Sequence, residues 1–214
     1  MITFSGIDGA GKTTQILLFE KYCVDNGIKF KKMWARGRCT PGVVLIKNIV
    51  RKDKNLNQKE KIEYRNNIHK STSKRRLLLI ASILDLYWFF GIYYRILDVL
   101  YPKFICDRYI WDTYIDFKVD YSEFNFENWL IWKLLLKLII KPEESYVFVI
   151  SAKESIRRGI QKKEAGMETI EQKTKKIQLY LELVHQGKWS KVIDGNQTIE
   201  SIFNSIKKVN KYEY

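Results

Sequence analysis

Residues 1–15 read MITFSGIDGAGKTTQ, and the order of three signals within them decides the fold. Met1–Ser5 is a short apolar run ending in glycine, which reads as a buried strand. Gly6 to Thr13 fit G-x-x-x-x-G-K-[ST] at every position. From Lys12 to Asp25 the residues Ile16, Leu17, Phe19 and Cys23 recur at helical spacing. Strand, glycine loop and helix in that order make a phosphate-binding loop. Gly6, Gly9 and Gly11, with Asp8 and Ala10 between them, let the backbone curl so that successive N–H groups point at phosphate oxygens, and the helix adds its positive end. Lys12 is expected to bridge the β and γ phosphates of a nucleoside triphosphate, ATP in the simplest case, and Thr13 to ligate Mg2+. Thr14 belongs to the same cradle. A glycine-rich turn without a ligand has no need of Lys-Thr at its end.

Working outward, four more strands are legible: Lys29–Trp34 after Asn26-Gly27, Lys103–Cys106 after Pro102, Tyr146–Ser151 after Pro142, and Lys191–Ile193 before Asp194-Gly195. Helical patterns fill the intervals, the last from about Thr198 to Val209. Strands separated by helices predict an α/β fold, a parallel sheet covered on both faces, in a single domain spanning 1–214 without repeat or linker. With 46% hydrophobic and 14% aromatic residues the chain can fill one core without disulfides. Cys23, Cys39 and Cys106 lack metal-ligand or redox spacing, and MITFSG lacks a signal core, so the expected compartment is cytoplasmic. The net charge of +14 favours anionic partners. Its basic residues gather in 47–76 and near 157–176 with no aromatic ladder between them, so a solvated face is expected rather than nucleic acid.

Two apolar stretches bear on partners. Leu77–Tyr94 is 18 residues long with only Asp85 charged, close to a membrane span in length. Asp85, Arg95 and Asp98 interrupt it and its neighbours alternate as α/β elements, so it reads as a central helix buried on the sheet. Trp129–Ile140 reads as core packing, with a dimer interface or membrane-surface contact as the alternative.

A second site follows the third strand, where Phe104-Ile105-Cys106 ends in Asp107-Arg108-Tyr109. An acid at the carboxyl end of a strand beside the loop strand is placed to organise magnesium, and Arg108 to neutralise the transferring phosphoryl group. After the fourth strand, Arg157, Arg158, Lys162 and Lys163 are spaced so that at least one could fold over the phosphates from a lid at about 152–167. Asp112, Asp116 and Asp120 fall on one helical face. For Asp116 and Asp120 an exposed acidic face is expected; Asp112, one turn after Arg108, is expected to face the acceptor and bind its hydroxyls.

Loop, Asp-Arg-Tyr and basic lid in this order resemble thymidylate kinase, of the P-loop nucleoside monophosphate kinases, over nearly the whole chain. Phe4–Gln15, with its internal acid Asp8, carries the resemblance furthest. It implies a five-stranded parallel sheet, ATP with magnesium as donor, transfer of the γ-phosphate to a nucleoside monophosphate such as dTMP, and a homodimer. It also implies that Asp8 lies near the acceptor sugar, that Arg36 holds the acceptor phosphate, and that Asp107 and Arg108 organise transfer, with Tyr109 beside them. Ala10 together with Arg157 and Arg158 is similar to the branch whose catalytic arginine comes from the lid. Val192-Ile193-Asp194-Gly195 looks like the segment flanking the donor adenine. The chain departs on the acceptor side: Arg36-Gly37-Arg38-Cys39-Thr40-Pro41-Gly42 replaces Arg-Glu-Pro-Gly-Gly, and Ile80–Asp85 holds no arginine to read a base. A different small acceptor, a nucleoside or sugar, therefore stays open. So does a nucleotide switch, although Asn210-Lys211-Tyr212-Glu213 is not a guanine motif in the right place.

Overall fold

The computed structural model describes residues 1–34, 71–161 and 169–209. Five strands form one parallel sheet in the order β2-β3-β1-β4-β5: β1 Ile2–Gly6, β2 Phe30–Trp34, β3 Lys103–Asp107, β4 Glu144–Val149 and β5 Lys191–Asp194. Each lies within two residues of its predicted start. β1 is central, and every one of its residues is buried, as a strand covered on both faces requires.

α1 (Lys12–Asp25) begins at the loop and ends on Asn26-Gly27. There Gly27 takes φ 66° and the N–H of Ile28 returns to Cys23 O at 2.8 Å, closing the last turn. Ile16, Phe19 and Cys23 pack with Ile2, Phe4, Tyr146 and Phe148 of the sheet, and with Ile202 and Ile206 of α8 (Ile199–Val209). The other large cluster lies between β3 and a long helical run made of α2 (Thr72–Leu86), a π segment (Tyr87–Tyr93) and α3 (Tyr94–Leu100). Leu79, Ile83, Leu86, Phe90 and Tyr94 are buried there. Leu77, Leu84, Trp88, Ile92, Ile96 and Val99 are exposed, so the run is half core rather than wholly buried as its composition suggests. By length and hydropathy alone, Thr72–Leu100 could cross a membrane, and 44% of its most apolar window is buried in the protein. α5 (Leu130–Leu138) likewise buries Trp132 and Leu135 and exposes Leu130, Leu134 and Leu138. At Gly91 a Cβ would meet Leu138 Cδ2 at 2.8 Å, so the two helices approach closely.

α4 (Ile110–Asp120) and α7 (Ile170–His185) are joined by a buried ion pair, Lys176 Nζ to Asp116 Oδ1 at 2.7 Å. Asp116, expected on an exposed acidic face, is 4% exposed because α7 covers that side of α4. Asp120 is half-buried. Removing one member of such a pair strands the other charge, whereas replacing both by apolar groups does not. Lys176→Met should therefore cost about 3 kcal/mol in urea unfolding, and Asp116→Leu added to it should recover most of the loss. A double variant no more stable than Lys176→Met would contradict the pairing.

Candidate functional site

The loop between β1 and α1 is held open by its glycines and by what grips its carbonyls. Gly6 has φ 130°, and a Cβ there would lie 2.4 Å from Phe148 O on β4. Gly9 has φ 80° and faces Ser155 O, at 3.2 Å from a Cβ, on α6 (Ala152–Gln161). Three consecutive carbonyls each accept a side-chain donor: Ile7 O from Lys12 Nζ at 2.6 Å, Asp8 O from Ser155 Oγ at 2.6 Å, and Gly9 O from Arg158 Nη1 at 3.1 Å. In a trans peptide the N–H points opposite to the C=O, so the Gly9 N–H is turned away from Ser155. α1 has no side-chain cap, and the N–H groups of its first turn have no partner within the helix. A backbone so arranged suits an anion.

Lys12 is 6% exposed, and burial, then repulsion from Arg108, lowers its pKa to about 7 against the pull of Asp8, Asp107 and Asp112. A cation so uncomfortable gains from an arriving phosphate. Thr13 is exposed at the same helix end and Thr14 half-buried.

Asp107 and Arg108 stand beside the loop because β3 pairs with β1 in the register Phe4↔Asp107, and the Arg108 N–H donates to Phe4 O at 2.9 Å. Arg108 carries φ 74°, a left-handed conformation costly for a residue with a Cβ, and its buried guanidinium holds Asp8 and, at 3.4 Å, Asp112. Burial opposes its charge, yet Tyr180, Asp112 and Asp8 raise its pKa. Among the described residues Asp107 Oδ1 is buried without a hydrogen bond, and burial raises the carboxyl's pKa despite Lys12 and Arg108. An orphaned carboxylate oxygen fits a cation. Among the described residues no three acids, histidines or cysteines cluster for a metal, so a magnesium ion here would draw on Thr13, Asp107 and substrate phosphate oxygens, as that ion commonly does.

Other expected residues lie elsewhere. Asp112, expected to face the acceptor, is 1% exposed and accepts from Ser5 Oγ at 2.6 Å, Tyr180 Oη at 2.6 Å, Tyr109 N at 3.1 Å and Gly6 N at 3.2 Å. The Tyr109 hydroxyl donates to Ile140 O at 3.0 Å, and its ring stacks on Tyr94, so this side chain is core. Arg157 is exposed and bound to Glu154, whose carboxyl Arg157 and Arg158 hold down to about 2. Arg158 reaches the loop, but from outside, bridging Glu154, Gly9 O and Gly195 O. Gly195 is pressed on the loop, where a Cβ would lie 2.8 Å from Ala10 O. Arg36, Lys162 and Lys163 lie outside the described residues. Ser5, Ser155, Lys173 and Tyr180 do not stand out in the sequence. Lys173, Lys176 and Tyr180 share one face of α7 with buried Leu183, and lysines at core spacing are the one signal that could have found them.

Fold and site together are those of an α/β phosphate-binding-loop protein with the architecture of a P-loop kinase. No family model matches the chain. It is similar to the thymidylate kinase of Thermosipho melanesiensis (strain DSM 12029 / CIP 104789 / BI429), 26% identical over 215 positions covering 97% of this chain and 96% of that protein. That likeness supports a nucleotide-binding kinase in general.

The lowered Lys12 pKa has a sign that can be checked. Below about pH 7 both folded and unfolded chains carry the proton and burial of the charge costs stability; as pH rises from about 7 toward the ordinary lysine value of 10.5 only the unfolded chain holds it, and the cost is relieved. Nucleotide-free wild type should therefore gain stability relative to Lys12→Met between about pH 7 and 9.5, read as the difference in urea midpoints. A difference that is flat or falls with pH would contradict the assignment.

Proposed function

We propose that the protein is an ATP- and magnesium-dependent phosphotransferase, a nucleoside monophosphate kinase with dTMP or a related nucleotide as acceptor. The observation that carries this reading is the Arg108–Asp8 ion pair, which fastens the residue after β3 to the interior of the phosphate loop. The likeness to a thymidylate kinase supports the acceptor class.

The chemistry is in-line phosphoryl transfer, in which positioning and charge do most of the catalysis. The segment Gly6 to Thr14 cradles the donor phosphates through backbone N–H groups other than those of Gly6 and Ala10, which are held by Asp112 and Ile7 O, and Lys12 becomes the cation of the β and γ phosphates. Thr13 and Asp107 would hold a magnesium ion, which would supply charge neutralisation on those phosphates. Asp8 is two-fifths exposed and positions the acceptor, while Arg108, steadied by Asp112, meets the phosphoryl group in flight. Arg36 binds the acceptor phosphate, and Arg157, 59% exposed on α6, supplies a cation to the phosphates from the side of the site. The reading places the protein in the cytoplasm, as a homodimer without nucleic acid or membrane as partner.

A second reading, a nucleoside or sugar acceptor, has one observation in its favour. The arginines of the long helical run are engaged elsewhere: Arg75 with Glu123, Arg76 over Trp129, and Arg95 with Leu138 O. None is directed at the loop to read a base. ATP consumption measured across dTMP, other nucleoside monophosphates, nucleosides and free or phosphorylated sugars separates the two. Turnover with monophosphates alone supports the first reading, with nucleosides or sugars alone the second, and with none refutes both. In the responsive assay Lys12→Ala should abolish transfer, and Arg108→Ala should lower kcat by about 10²-fold or more. Wild-type turnover in either would remove that residue from the mechanism.

A further inference from the structure

Lys173 is 3% exposed, and its ammonium donates to Ser155 Oγ at 2.8 Å, a neutral hydroxyl rather than a carboxylate. A buried charge is costly unless an opposite charge or several hydrogen bonds compensate it, and α7 already uses the neighbouring Lys176 for the Asp116 pair. Among the described residues no carboxylate answers Lys173, so core stability does not account for it. The direction of its bond does. Ser155 is fully buried and has one proton; accepting from Lys173, it donates that proton to Asp8 O at 2.6 Å. The hydroxyl thus carries the field of the ammonium to the Asp8–Gly9 peptide. A charge-polarised donor on the carbonyl fixes that peptide plane and strengthens its Gly9 N–H as a donor on the opposite side.

We infer that Lys173, acting through Ser155, is a positioning residue of the phosphate loop, holding the Asp8–Gly9 peptide with its N–H toward a bound polyphosphate. The inference deepens the proposed function and rests on its assignment of Gly6–Thr13 as the donor site. Lys173 touches no substrate. The anion that answers its charge is the polyphosphate itself, reached across one hydroxyl and one peptide. Arg158, on Gly9 O, performs the adjoining step, so two cations stand behind successive carbonyls of the loop.

The test uses the full chain, with magnesium tripolyphosphate and ATP–Mg as calorimetric probes. Lys173→Met keeps the length of the side chain and removes its charge. It should bind tripolyphosphate about 10-fold or more weakly, the scale of a lost charge-assisted hydrogen bond, while its urea midpoint stays at or above that of wild type. Ser155→Ala should lose affinity similarly, and the double variant should lose no more than the larger single loss, because the two act in series. Lys173→Arg, which restores the charge, should recover part of the affinity. Unchanged tripolyphosphate affinity in Lys173→Met, losses that add in the double variant, or weakened binding that merely follows lost stability would each overturn the relay. A wild type that binds tripolyphosphate in a Lys173-dependent way yet transfers phosphate to no acceptor would leave the relay standing and refute the proposed kinase. A wild type that binds neither probe would refute both.

Discussion

The carboxylate of Asp112 is enclosed at the junction of β1, α4 and α7, and what surrounds it sets the shape of the site. It accepts from the Ser5 hydroxyl and Gly6 N–H on β1, from the Tyr109 N–H at the head of α4, and from the Tyr180 hydroxyl on α7, with the Arg108 guanidinium alongside. A buried carboxylate missing any of these would keep much of the cost of leaving water. The central strand, the start of the phosphate loop and two helices are therefore tied to one point. Arg108 can hold a left-handed backbone there because its N–H is bound to Phe4 and its side chain to two acids.

Charge is distributed around that point unevenly, in a way that suits a metal–polyphosphate ligand. Asp8, Asp107 and Asp112 stand near Lys12 and Arg108, three acids to two cations. The acids offset part of the cost to Lys12, but burial and the repulsion of Arg108 still lower its pKa to about 7. Asp107, with one oxygen unbonded, is the acid with capacity left. A divalent cation on Asp107 and phosphate on Lys12 would supply what each lacks.

The sequence shows the sheet well and the site unevenly, for physical reasons. Strand runs bounded by glycine and proline are local signals, and the five strands and α1 agree with them closely. The loop is also local, since its chemistry is written in adjacent residues. The burial of Asp112 is not legible in the sequence because its partners Ser5 and Tyr180 are 107 and 68 residues away in the chain. Spacing puts Asp112 one turn from Arg108, which is correct, but spacing cannot say whether that face meets solvent or another helix. The packing of Tyr109 is hidden for a related reason: its ring belongs to the aromatic cluster of Phe90 and Tyr94, from a distant part of the chain. Lysines on α7 read as solvated by habit of composition, although Lys173 and Lys176 share its buried face.

The basic segment after β4 joins these threads. A lid is expected to start at about residue 152, yet Ser155 and Arg158 anchor α6 to the loop carbonyls, and Arg158 also spans to Gly195 beyond β5. Hinge motion that carried the whole of α6 would break these bonds and release the peptide planes that the phosphates require. In the proposed kinase the part of α6 up to Arg158 would have to stay in place while nucleotide is bound. Arg157 can still contribute from the fixed side, because its present partner Glu154 is an exposed ion pair of small energetic weight that a phosphate could displace. In that proposal α6 up to Arg158 would be a fixed wall of the donor site, because Ser155 and Arg158 tie it to the loop carbonyls.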